Sequence, residues 1–267
     1  MDIIQIIGFA CALLIGVTLG LIGGGGSILT VPILVYLFYL NPVTATAYSL
    51  FVVGFTALGG TIRSIQKKQV DFRTGIVFAI PSFIAVYFTR KVLIPVMPET
   101  IFSIGNFTMT KDLAIMVFFS FIMLLSAYYM IKKGGGLGFE KNPIMKFQYL
   151  SLIIQGTIVG LLTGIVGAGG GFLIIPALVL WTGLPMKKAI GTSLMIIAVK
   201  SLIGFIGDVE NMVIDWGFLL IFTGISFVGI FLGLYLSNFI EGFKLKRIFG
   251  WFVLFMSLYI LFKEIFL

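Results

Sequence analysis

The residues of this chain best placed to do chemistry are glycines: Gly23, Gly24, Gly25 and Gly26 in one run, and Gly167, Gly169, Gly170 and Gly171 in another. Glycine leaves the main chain bare, permits left-handed dihedrals and lets a second group approach the backbone. Each run is expected to open a short helix, near Ser27 in the first and at Gly171 in the second. Uncovered amides at a helix start, backed by the helix dipole, attract anions, and two such sites facing one another would cradle one small anion. Hydroxyls stand downstream in matched positions, Ser49 and Ser193, with Thr46, Thr192 and Ser201 close by. They can donate to an anion's oxygens or bond a carbonyl one turn back. Lys200 is a basic residue well inside an apolar segment. At membrane depth an ionisable group is a candidate for function; the alternative is that its long side chain reaches out to the interface. The expected substrate-binding set is Gly23, Gly24, Gly25, Gly26, Ser27, Ser49, Gly167, Gly169, Gly170, Gly171, Thr192, Ser193 and Lys200.

Other chemistries lack their residues. The chain has no histidine and one cysteine, Cys11, so the usual metal ligands, nucleophile–base pairs and internal disulfides are not expected. No catalytic residue, metal or cofactor is expected. The acids, among them Asp71, Glu99, Asp112, Glu140, Asp215 and Glu241, fall in loops or at segment ends. With no carboxylate at mid-membrane to carry a coupled proton, the anion is expected to leave down its own electrochemical gradient, to which an inside-negative potential contributes about 2.3 kcal/mol per charge per 100 mV. The net charge of +8 calls for no nucleic-acid partner, since Lys and Arg gathered in cytoplasmic loops would produce it.

The glycine runs belong to a duplication. GVTLGLIGGGGSILTVPIL at Gly16–Leu34 matches GLLTGIVGAGGGFLIIPAL at Gly160–Leu178, 144 residues on. The register holds through Ser49/Ser193, Asp71/Asp215 and Ser82-Phe83/Ser226-Phe227. Further on, Ser126, Tyr128 and Lys132 match Ser257, Tyr259 and Lys263 at a spacing of 131, which places an insertion in the first copy, expected in the Lys91–Asp112 stretch as an external loop. The expected organisation is a first repeat over 1–131, a cytoplasmic, glycine-containing linker over 132–147 and a second repeat over 148–267. Gly16/Gly20 and Gly160/Gly164 have the small-xxx-small spacing of tight helix crossings.

The elements that hold these residues are membrane helices. Sixty per cent of residues are hydrophobic, 10% are charged and the mean hydropathy is +1.17, against about 25% charged in soluble domains. Apolar segments fall at about 3–22, 27–41, 44–62, 73–90, 113–131, 149–166, 171–185, 189–207, 215–237 and 248–265. The second and seventh are short: Ser27 to Asn41 as a helix spans about 22 Å, against an apolar core of about 30 Å. Pro32 and Pro176 are expected in the first turns of these short helices. The loop after the third segment carries Arg63, Lys67, Lys68 and Arg73 with Asp71, whereas its counterpart carries Asp208, Glu210 and Asp215 and no base. Basic short loops stay cytoplasmic, so equivalent loops of opposite bias belong on opposite faces. The expected fold is therefore an all-α polytopic membrane protein of two inverted repeats, about five transmembrane segments each. Short broken helices follow its Gly-rich loops, and both termini are external. Inverted repeats are the architecture of secondary transporters.

On these residues the chain resembles the sulfite exporter TauE/SafE family of bacterial and plant membrane proteins. The likeness rests on the twin glycine runs with Pro32-x-Leu34 and Pro176-x-Leu178, on A-x-x-x-S-L at Ala45–Leu50 and Ala189–Leu194, and on V-D-F/I-D-W at 70–72 and 214–216. The resemblance implies a multi-pass protein of the bacterial inner membrane, with the bilayer and a small anion as partners. It further implies export of sulfite, sulfonates or related organic anions. The alternatives are an anion-selective, channel-like pore and a non-transport intramembrane enzyme or assembly factor. Ser27 stands opposite Gly171 in the alignment of the copies, so the half-sites are not chemically equal.

Overall fold

The computed structural model describes residues 3–104, 107–132, 145–167, 169–209 and 211–266. The first half supplies α1 (Ile3–Ile22), α2 (Gly25–Tyr36), α3 (Pro42–Gln66), α4 (Phe72–Val96) and α5 (Lys111–Lys132). The second supplies α6 (Met145–Val166), α7 (Gly171–Trp181), α8 (Met186–Val209), α9 (Trp216–Leu236) and α10 (Gly242–Phe266). Among the described residues α3, α4, α5, α8 and α9 contain stretches long and apolar enough to cross a bilayer, which makes the chain a multi-pass helical membrane protein. Most of the linker expected at 132–147, including its glycines, lies outside the described residues.

The halves are interlocked rather than side by side. The first helix of each packs on the fourth of the other (α1 on α9, α6 on α4), the third on the third (α3 on α8), and the fifth on the fifth (α5 on α10). Matched glycines make the first contact close: a Cβ at Gly16 would strike the Ser226 carbonyl, and one at Gly160 the Ser82 carbonyl. These pairs lie at the 144-residue repeat spacing, and they are the tight crossings that the small-xxx-small pattern suggests. α3 and α8 form the most buried pair of spans.

Matched acids start matched helices. Asp71 caps α4 by accepting from Thr74 N at 3.0 Å, and Asp215 caps α9 by accepting from Phe218 N at 3.0 Å. A side-chain acceptor at this position satisfies one of the free amides of a helix start. Each cap is held from the other half: Thr192 Oγ1 accepts from Asp71 N at 2.9 Å, and Tyr48 OH from Asp215 N at 2.6 Å. Thr192 and Tyr48 are again 144 residues apart.

The insertion in the first half departs from the expected loop. α4 runs on to Val96 through one π-helical turn at Thr89–Leu93, after which β1 (Thr100–Ile104) and β2 (Phe107–Thr110) pair antiparallel, Thr100 opposite Thr110 and Ser103 opposite Thr108. Alternating β-branched and aromatic residues favour this form. Pro32 and Pro176 also differ from expectation. They lie inside α2 and α7 rather than in their first turns, and each helix continues past its proline because only one backbone bond is lost there.

Candidate functional site

Both glycine runs end helices and begin others. In the first, Gly23 takes a left-handed φ of 75° after α1 and α2 begins at Gly25; in the second, Gly167, Gly169 and Gly170 have φ of 69°, 63° and 73° before α7 begins at Gly171. At about 1.5 Å per residue, the 12 residues of α2 and 11 of α7 make helices of about 18 and 16 Å, too short to cross the apolar core of about 30 Å. Gly26 lies against Ile15 and Leu19, and Phe38 against Gly8 and Phe9. α2 therefore folds back along α1 and returns the chain to the end at which it entered. The two short helices start head to head: a Cβ at Gly24 would strike the Gly171 backbone, and one at Gly171 would strike Gly24.

The side chains around the runs are unequal. At the second run a Cβ at Gly170 would lie 2.5 Å from Lys200 Nζ, one at Gly167 would lie 2.6 Å from Arg90 Nη2, and one at Gly169 would lie 3.2 Å from Ser201 Oγ. Lys200 and Arg90 are both fully buried. Lys200 does not reach out to the interface; its ammonium donates to Thr163 Oγ1 at 2.7 Å, and that hydroxyl donates to the Val159 carbonyl. Arg90 stands in the π-turn with Nε 3.3 Å from Asp208 Oδ2. The contact falls short of hydrogen-bond geometry, and Arg90 Nη1 and Nη2 have no hydrogen-bond partner among the described residues. Ser49 Oγ and Ser201 Oγ are likewise buried without one. Buried donors left unpaired are costly, and a guanidinium presents a fork of donors matched to an oxyanion.

At the first run the neighbour is neutral. A Cβ at Gly23 would lie 2.9 Å from Ser193 Oγ, and that hydroxyl contacts the Gly23 carbonyl at 3.1 Å and the Ile190 carbonyl at 2.8 Å.

Most of the expected residues gather at this centre: Gly23, Gly24, Ser193, Gly167, Gly169, Gly170, Gly171 and Lys200, with Ser49 buried on α3. Gly26 lies on the α1 side of α2. Gly25 opens α2; the side chain of Ser27 is outside the described residues. The hydroxyl of Thr192 is engaged with the Asp71 cap. Sequence reasoning missed Arg90 and Asp208, because each stands at the edge of an apolar segment, where a charge reads as interfacial. Arg90 packs against Gly207, where a Cβ would come within 3.2 Å of Arg90 Cβ, a contact that no local pattern announces.

A multi-pass helical bundle with two half-length helices meeting at bare backbone, beside two buried cations, has the makings of a membrane transporter. The chain matches the sulfite exporter TauE/SafE family over residues 8–260 and belongs to it. It is 27% identical over 255 residues to a protein of Xylella fastidiosa (strain 9a5c) described as "Probable membrane transporter protein", covering 94% of this chain and 92% of that one. It is 28% identical over 229 residues to "Probable membrane transporter protein YunE" of Bacillus subtilis (strain 168), covering 76% and 78%. A similarly described protein of Methanocaldococcus jannaschii is 35% identical over 125 residues, covering 43% of this chain and 47% of its own. No solved structure matches the chain. The protein is a membrane transporter, and its substrate is a small molecule.

Proposed function

We propose that this protein exports a small oxyanion, of the sulfite, sulfonate or carboxylate class, across the bacterial inner membrane by a secondary, saturable mechanism. The observation that carries the reading is the second glycine run, where Lys200 and Arg90 crowd the bare backbone from two sides and Arg90 keeps two donors unpaired. The Gly167–Gly171 loop and the α7 N-terminus supply amides, Arg90 supplies a fork, and Lys200 supplies a point charge. Gly23 and Gly24 close the site from the other half. Two inverted repeats fit the same facts. The exchanged packing of first and fourth helices and the matched caps fit a two-fold relation between the halves. The opposite charge bias of the 63–73 and 208–215 loops supports an axis in the membrane plane. The buried Asp208 holds Arg90 in the absence of substrate, and an arriving anion takes over that role.

Flux from proteoliposomes loaded with sulfite, sulfoacetate, taurine or acetate, at clamped voltage and with no pH gradient, tests the proposal. Saturable efflux of an anion, driven by voltage and reduced at least tenfold in Arg90→Gln and Lys200→Met, is expected. Efflux that is absent for every anion, or unchanged in both variants, overturns it, and non-saturating conductance would identify a pore instead.

A further inference from the structure

Two grooves open on the lipid-facing sides of the bundle at positions related by the repeat. One, of about 380 Å³, lies between α3 and α9 and is walled by Gly59, Phe227, Phe231 and Leu234. The other, of about 410 Å³, lies between α4 and α8 and is walled by Phe83, Tyr87 and Ile203. Gly59/Ile203, Phe83/Phe227 and Tyr87/Phe231 are pairs at the 144-residue spacing, so the grooves are one feature built twice. Their rims differ. The α3–α9 groove ends at Arg63, Gln66, Lys67 and Asn238, beside the basic α3–α4 loop. The α4–α8 groove carries Lys91, which bonds Tyr87 OH at 3.1 Å.

The α3–α9 rim holds more positive charge than its neighbours offset. Lys67 donates to Asn238 Oδ1 at 2.9 Å and Arg63 to Gln66 Oε1 at 3.3 Å, both neutral acceptors. Lys67 titrates below its ordinary range, first through partial burial and then through repulsion from Arg63 and Lys187. Glu241, on the neighbouring turn, faces Lys244 at 3.4 Å. Below the rim the wall is apolar and open: Ile62 and Phe231 are exposed, and Phe227 enters because Gly59 has no side chain, since a Cβ there would lie 2.6 Å from its ring. Cations and amides at a membrane end above an exposed aromatic wall match a phosphate head joined to an acyl chain.

We infer that the α3–α9 groove is a binding site for an anionic glycerophospholipid, its phosphate held by Arg63 and Lys67 with Gln66 and Asn238, and its acyl chain laid along Ile62, Phe227 and Phe231. The α4–α8 groove is its internal control, an apolar, aromatic wall at repeat-related positions with a single rim cation.

Native mass spectrometry of the purified full chain with phosphatidylglycerol, phosphatidylcholine or soluble glycerol-3-phosphate tests this. Phosphatidylglycerol adducts should exceed phosphatidylcholine adducts by about fivefold. That preference should vanish in the double variant Arg63→Gln/Lys67→Gln and survive in Lys91→Gln, with gel-filtration profiles unchanged in both. Because Arg63 is exposed and Lys67 partly so, the double variant should fold; should it not, Lys67→Glu alone must reduce the preference. Equal binding of both lipids, a preference kept in the variant, or equal binding of glycerol-3-phosphate overturns the assignment.

Discussion

The two glycine loops share a backbone plan and differ in charge. At the second loop stand Lys200, Arg90 and Asp208; the residues at the repeat-equivalent positions are Thr56, Leu234 and Ser64. Duplication reproduced the helix starts, the crossings and the caps, while the buried ionisable side chains gather at one loop, Lys200 and Asp208 from the second half and Arg90 from the first. The lesson is a division of labour between the loops: backbone geometry is shared by both, and charge is gathered at the second. The proposed site is not symmetric, and its charged side lies toward the end of the bundle that carries the acidic 208–215 loop.

The contrast can be broken at its seam first. Gly24→Leu and Gly171→Leu each push a side chain into the facing backbone, so both should abolish flux and lower stability by about 1–3 kcal/mol, the usual range for overpacking. Thermal unfolding beside flux separates them from Gly224→Ala, where no atom lies within 4 Å of the added group and both readouts should stay near wild type. Next come the charges. Arg90→Gln or Lys200→Met should weaken anion affinity by about 2–5 kcal/mol, the range for truncating a buried, bonded charge, about thirtyfold or more in half-saturating concentration. Leu234→Met and Thr56→Ser at the equivalent positions should shift it less than about twofold. Equal effects at the two loops would end the proposed division. Third, Asp208→Asn leaves Arg90 without its counter-charge and should cost about 3 kcal/mol of stability, read as a lower melting temperature that added anion restores. Smallest, Ser193→Ala should cost about 1 kcal/mol, the net worth of one hydrogen bond. Ser49→Ala should leave stability unchanged and move only anion affinity, since Ser49 Oγ has no bond to lose.

Much of this was legible in the residues. The glycine runs located the helix starts, at Gly171 in the second copy and within two residues of the expected Ser27 in the first, the apolar segments located the helices, and Lys200 stands out as a cation surrounded by hydrophobic sequence. The rest was hidden for identifiable reasons. Arg90 and Asp208 read as interfacial residues, and their burial depends on the π-turn and on Gly207 admitting α4, neither of which is a local signal. Thr192 reads as a ligand from its place beside Ser193; the bond its hydroxyl accepts from Asp71 N emerges only when α8 meets the α3–α4 loop, and its counterpart at the other cap, Tyr48, is a different residue type. The β-hairpin at 100–110 follows Pro95 and Pro98 and contains Gly105, so turn residues dominate the pattern and a short strand pair leaves little trace.

Main chain meets main chain where Gly24 faces Gly171, and this couples the fates of two segments that could otherwise drift apart. Neither copy can acquire even a methyl group there unless the other recedes. Changes of cargo must therefore be written in the surrounding side chains and not in the loops. Either half made alone would present an opening with nothing to close it.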